Sequence, residues 1–169
     1  MPDRVTATEI DESPRPAEVP RACVLRLAAA KAGAAEAGAG DVVLAADTLV
    51  AAGRRILGKP GDERAALAAL QFLSGRRHRV ITAVAVRRDD RVRTRAVETA
   101  VRFKRLSEHD IADYLASGEW RGKAGAYAIQ GRAGVFVPWI RGSYSNVVGL
   151  PLTETLNLLD AVGYRRPAP

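Results

Sequence analysis

Five short stretches of this chain combine side chains that do chemistry with residues that restrain the backbone. In Ala45-Ala46-Asp47-Thr48, a carboxylate follows a short apolar run. Read as the end of a buried strand, Asp47 would be presented at the edge of a sheet, where α/β folds place ligands. Capping of the following turn is its plainer role. In Gly58-Lys59-Pro60, a small and a rigid residue hold a lysine on a tight loop, or simply make a turn. Lys123 to Gly131, Lys-Ala-Gly-Ala-Tyr-Ala-Ile-Gln-Gly, is richer. Its glycines let backbone approach a ligand, Lys123 brings charge, and Gln130 offers both a donor and an acceptor. Ser74 to Thr82 contains His78, which could titrate near neutrality but is more simply a structural histidine before a strand. Glu12 closes the acidic cluster Glu9-Ile10-Asp11-Glu12. It could join Asp47 in holding a metal, or lie on an exposed acidic turn.

The basic residues single out some of the same places. Of 26 basic residues, only Lys31, Lys59, Lys104 and Lys123 are lysine. A lysine kept in so arginine-rich a chain marks a position that wants a compact ammonium rather than a planar fork. The alternative is chance survival. Net charge is +7, which raises the question of a nucleic-acid partner. The arginines are scattered, however, and the densest run, residues 87–93, is interrupted by Asp89 and Asp90 and reads as a solvated hairpin tip. Aromatic residues make up only 5%, too few for stacking platforms. This distribution argues against a specific nucleic-acid partner and leaves room for attraction of a polyanionic small substrate.

The elements that must position these residues follow from periodicity and punctuation. Residues 20–37 read as a helix with Val24, Leu25, Leu27 and Ala28 on its apolar side and Gly38 ending it. Residues 41–46 read as a strand buried on both faces, and 49–57 as a hairpin turning near Gly53. Asp62 caps a helix to Leu73. Residues 80–86 and 92–103 form an antiparallel pair. Ser107 and Asp110 make a capping box with Asp in place of Glu, opening a helix to about Ser117. Between Gly118 and Gly149 come one or two strands, including 135–140, and 153–162 is a closing helix. This pattern predicts a single α/β (mixed α+β) domain, a mixed twisted sheet flanked by helices. Cys23 is a packing residue. With no apolar run long enough for a membrane and no apolar signal-peptide core, the expected location is the cytoplasm.

In this order, LAAAKA, VVLAADTLV, ILGKP, LSGRRHRVITAVAV, LSEHDIADYLASGEWRGKAGAYAIQG and GSYSNVVGLPL resemble the Maf family of nucleotide pyrophosphatases, similar in fold to the inosine triphosphate pyrophosphatases. The resemblance runs from Ile10 to about Leu159. It implies hydrolysis of a nucleoside triphosphate, dTTP or UTP, to the monophosphate and pyrophosphate. Asp47 would be the proton acceptor that activates water, with Asp47 and Glu12 holding Mg²⁺ or another divalent metal. Lys31, Lys59 and Lys123 match family lysines around the phosphates. Thr48 and Gln130 match positions that distinguish the dTTP/UTP subfamily. A homodimer is also implied. The family opens with a strand and a Ser-x-Ser-Pro-Arg-Arg loop, and this sequence starts after it, so the resemblance implies an N-terminally shortened domain. The alternative function is a catalytically impaired, nucleotide-binding relative with a regulatory role in cell division.

Overall fold

A computed structural model describes residues 4–165. In chain order the regular elements are helix α1 (Pro20–Ala34), strands β1 (Val42–Ala52) and β2 (Arg55–Leu57), helix α2 (Glu63–Leu73), strands β3 (Arg77–Arg88) and β4 (Arg91–Arg102) and helix α3 (Glu108–Ser117). Two 3₁₀ turns (Ala124–Ala126 and Arg132–Phe136), strand β5 (Trp139–Arg141) and helices α4 (Tyr144–Val148) and α5 (Leu152–Ala161) complete the described chain. The five strands form one sheet in the order β2-β1-β3-β4-β5. β1 and β2 pair antiparallel with Val50 opposite Leu57, and β4 and β5 pair antiparallel with Ala100 opposite Arg141. Neighbours β3 and β4 are joined only through Asp89 and Asp90, a connection too short for anything but an antiparallel hairpin. Helices flank this sheet, as the sequence predicts.

The chain divides into two compact units. One comprises Met1–Asp47, Ala83–Ala96 and Leu152–Pro169. Its buried apolar residues are Cys23, Val24, Leu27, Ala28 and Ala32 from α1, with Ala83 to Val86 from β3 and Ala96 from β4. Cys23 is wholly buried and its thiol is pushed up to about 11 by that burial, the behaviour of a packing residue. α1 begins on Pro20, whose missing N–H costs nothing there. It stops at Ala34, short of the expected Gly38, because an arginine replaces the glycine cap. Arg87 of β3 donates from Nε to the Ala32 carbonyl (2.8 Å) and from Nη2 to the Ala35 carbonyl (2.6 Å), taking up groups that a helix end leaves open. Arg88 serves the end of α5 similarly, through the carbonyls of Val162 and Gly163. The run read as a solvated tip therefore has two of its arginines committed to helix ends.

The other unit comprises Thr48–Thr82 and Val97–Pro151. Its core joins Val50, Leu57, Leu70, Leu73, Phe103 and Tyr114, among others, in one cluster. Each such fully buried aliphatic side chain contributes about 2 kcal/mol. α2 starts where Asp62 Oδ1 accepts from Ala65 N (2.7 Å). α3 has the expected capping box, with Ser107 Oγ accepting from Asp110 N and Asp110 Oδ2 accepting from Ser107 N, and it ends on left-handed Gly118.

Three expectations need correction. Residues 41–46 and 49–52 are one continuous strand, β1, so Asp47 sits mid-strand rather than at a strand end. The first half of β1 is also only half-buried, with Leu44 exposed, rather than buried on both faces. Of residues 135–140 only Trp139 and Ile140 are strand, as part of β5; residues 132–136 coil into a 3₁₀ turn instead. α4, a single turn capped by Ser143, has no counterpart in the sequence reading because five residues carry no periodicity.

Candidate active site

In the first unit the structure brings Glu12, Lys31 and Asp47 together. Lys31 lies in the last turn of α1, and its Nζ donates to Asp47 Oδ1 at 2.5 Å and contacts Glu12 Oε1 at 2.6 Å. The Asp47 side chain is 5% exposed, that of Glu12 41%. The Lys31 ammonium is therefore shared between a buried carboxylate and one at the surface. Burial disfavours the charged Lys31, but the hydrogen bonds to Asp47 and Glu12 and their negative charges outweigh it and hold its pKa above the ordinary value. Both carboxylate oxygens touch the same nitrogen, so they lie within about 5 Å of each other. Among the described residues no third His, Cys, Asp or Glu joins them as a metal-binding group. Two carboxylates of this kind suit Mg²⁺, which is commonly held by one or two carboxylates with substrate phosphates and waters supplying the rest. The donor set fits the expected metal.

Lys59 and Lys123 belong to the second unit, and both are exposed. Their loops are stitched together, since Gly125 N donates to the Gly58 carbonyl at 3.0 Å. Gly125 is held there at φ +69, and a Cβ on it would fall 2.9 Å from Val50 Cγ2. Only glycine satisfies both the conformation and the space. Ala126 follows at φ +63 and is fully buried, a conformation that alanine adopts at a cost of about 1 kcal/mol. Gln130 is exposed on a turn closed by Gly131 N donating to the Ala128 carbonyl. The turn is pinned on its far side, where Arg132 N donates to Glu119 Oε2 at 2.8 Å.

Thr48 is partly buried, and its hydroxyl lies 2.9 Å from that of Thr82. Thr82 Oγ1 in turn donates to the Asn146 carbonyl at 2.9 Å. Thr82 and Asn146 are each 0% exposed. Sequence reasoning gave neither a role, although both lie inside stretches that carried the family resemblance, and a buried polar residue in such a stretch was the available signal. His78 resolves as structural. It is 2% exposed, bonded through Nε2 to the Tyr127 hydroxyl at 2.8 Å, and burial pushes its pKa down to about 4. His109 is exposed beside Asp113. Trp120 and Phe136 are core, while Tyr144 is 53% exposed.

The model for the family described as Maf-like protein matches residues 1–162. The chain belongs to this family. Among curated Maf-like relatives, the dTTP/UTP pyrophosphatase of Cereibacter sphaeroides is 59% identical over 162 residues, 96% of this chain and 84% of that one. The dTTP/UTP pyrophosphatase of Caulobacter vibrioides is 57% identical over 166 residues, 97% of this chain and 86% of that one. That of Roseobacter denitrificans is 54% identical over 165 residues, 98% and 88% respectively. For the Maf-like chain itself, no helix among the described residues is long and apolar enough to cross a membrane.

Proposed function

We propose that this chain hydrolyses dTTP or UTP to the nucleoside monophosphate and pyrophosphate. The observation that carries the reading is the buried Asp47 carboxylate held by Lys31 beside Glu12. The names of relatives above 50% identity support it. Asp47 takes a proton from water as the water oxygen attacks the α-phosphorus, and the bond from that phosphorus to the bridging oxygen of pyrophosphate breaks. Asp47 and Glu12 would hold Mg²⁺, which when bound supplies positive charge to the phosphate oxygens. The Lys31 ammonium, which in the structure answers the two carboxylates, would then be released toward the phosphates. Lys59 and Lys123 are assigned to phosphate oxygens through the family resemblance, since fixed cations offset charge building on the leaving group. Thr48 and Gln130 are assigned to the base, since an amide matches the donor and acceptor edge of a pyrimidine imide.

The test is product analysis with dTTP, UTP, CTP and GTP in the presence of Mg²⁺, run in ¹⁸O-labelled water. Pyrophosphate with label in the monophosphate is the expected result. Release of inorganic phosphate with a nucleoside diphosphate, or label in the pyrophosphate, overturns the reading.

A further inference from the structure

The hydroxyl of Thr48 is not free to choose its role. Thr82 Oγ1 donates to the Asn146 backbone carbonyl, a group that can only accept. A hydroxyl has one proton, so Thr82 has none left for Thr48. The 2.9 Å contact between the two hydroxyls must therefore run the other way, with Thr48 donating to Thr82. The proton of Thr48 is spent inward, and what its oxygen can show to a ligand is lone pairs alone.

The far end of this chain is anchored firmly enough to hold that direction. Asn146 Nδ2 donates to the Val80 carbonyl at 3.1 Å and to Thr99 Oγ1 at 3.0 Å. Turning the amide over would set its oxygen against the Val80 carbonyl, so the orientation is unambiguous. Thr99 spends its own proton on the Ser143 carbonyl and accepts from Ser143 N. Asn146 N donates to Ser143 Oγ, which fixes the first turn of α4. Its backbone carbonyl, the acceptor for Thr82, is thus set from both the side-chain and the main-chain direction.

We propose that Thr82, with the Asn146 carbonyl behind it, is a specificity-determining positioning residue that makes Thr48 an obligate hydrogen-bond acceptor. The inference rests on the reading in which Thr48 faces the base of a nucleotide. An acceptor at Thr48 is met by an imide N–H, which thymine and uracil carry at N3. Cytosine has a bare lone pair at that position, and two acceptors facing each other repel. The relay therefore selects dTTP and UTP against CTP without Thr82 or Asn146 touching substrate.

The experiment compares kcat/KM for dTTP, UTP and CTP in the wild type, Thr82→Val, Thr82→Ser, Thr48→Val and the double variant Thr48→Val/Thr82→Val. Valine matches threonine in shape but cannot accept, which frees the Thr48 proton. The UTP-to-CTP ratio should then fall by about tenfold, the worth of one neutral hydrogen bond. Thr82→Ser keeps the hydroxyl and should keep the ratio. In the Thr48→Val background, Thr82→Val should change the ratio no further. If Thr82→Val does not fold, Thr82→Cys serves the same purpose with a weakly bonding thiol. An unchanged ratio in an active Thr82→Val enzyme overturns the relay alone. So does an equal loss on all three nucleotides with a lower melting temperature, or a shift that persists without the Thr48 hydroxyl. A wild type that releases pyrophosphate from neither dTTP nor UTP overturns the reading beneath it as well.

Discussion

Lys31 and Asp47 have opposite demands on their shared contact. Asp47 is buried and needs a cation nearby, while Lys31 is held charged mainly by its two carboxylate partners. Asp47→Asn keeps the size but can neither take a proton nor neutralise a cation. Pyrophosphate release should fall by at least about 10³-fold, with the circular dichroism spectrum retained; near-normal release would remove Asp47 from the chemistry. Lys31→Met should cost roughly 2 kcal/mol of stability at neutral pH, because the buried carboxylate loses a charged partner that Glu12 keeps partly screened. The pH dependence has a definite sign. The pKa of Lys31 is raised in the fold above the ordinary 10.5, so its stabilisation is complete below 10.5 and is lost as pH climbs through the higher folded value. Urea titrations above pH 10.5 should show the wild type losing stability and Lys31→Met losing less. The identities of Glu12, Lys31 and Asp47 were legible in the sequence, but their mutual arrangement was not. The resemblance set Lys31 among phosphates, and only the structure shows its ammonium on the carboxylates.

Elements whose ends carry a local signal were read correctly. Asp62, and Ser107 with Asp110, each place a helix start through chemistry that involves only near neighbours in sequence. α1 was misjudged for the opposite reason. Its terminal carbonyls are taken up by Arg87, more than fifty residues away, and no local pattern announces that. β1 was divided in two because Asp47 and Thr48 interrupt an apolar run, whereas their backbone continues the sheet without a break. β3 illustrates how an element can hide a titratable group. His78 lies in it, packed edge-on against Phe103 and Tyr127 at ring separations of 5.1 and 5.5 Å, and its pKa is pushed from 6.5 to about 4. Between those two values the unfolded chain binds a proton that the fold refuses, so stability should fall as pH drops from 6.5 toward 4. The loss attributable to His78 is at most about 3 kcal/mol. His78→Gln should flatten the chemical-denaturation profile in that window; an equally steep profile would assign the acid sensitivity to other groups.

Across the whole chain the charge balance, +7, acts at longer range than any contact. A triphosphate approaching such a surface is drawn in, and the attraction weakens as salt shortens the screening length. Raising KCl from about 0.05 to about 0.5 M, which cuts that length severalfold, should therefore lower kcat/KM for dTTP while leaving kcat nearly unchanged. A loss confined to kcat would mean that salt acts on the chemical step rather than on encounter. The excess charge was legible in composition, and so was the absence of a concentrated basic tract. The division into two compact units was not, because Asp47 and Thr48, like Thr82 and Ala83, fall on different sides of it within unbroken strands.

The glycine beneath the Lys123 loop carries a consequence for mutational history. Position 125 is restricted twice, by its φ of +69 and by Val50 at 2.9 Å from where a Cβ would stand. Shrinking Val50 to alanine relieves the second restriction only in part, because the Val50 Cβ that remains would itself stand 3.0 Å away, and it leaves the first untouched. Val50→Ala can therefore soften Gly125→Ala without making it neutral, and the double variant should remain at least about 1 kcal/mol less stable than Val50→Ala alone. The compensation is partial by construction. No change at the neighbouring strand opens a neutral route to alanine at position 125, and a lineage could lose this glycine only by rebuilding the path of the loop.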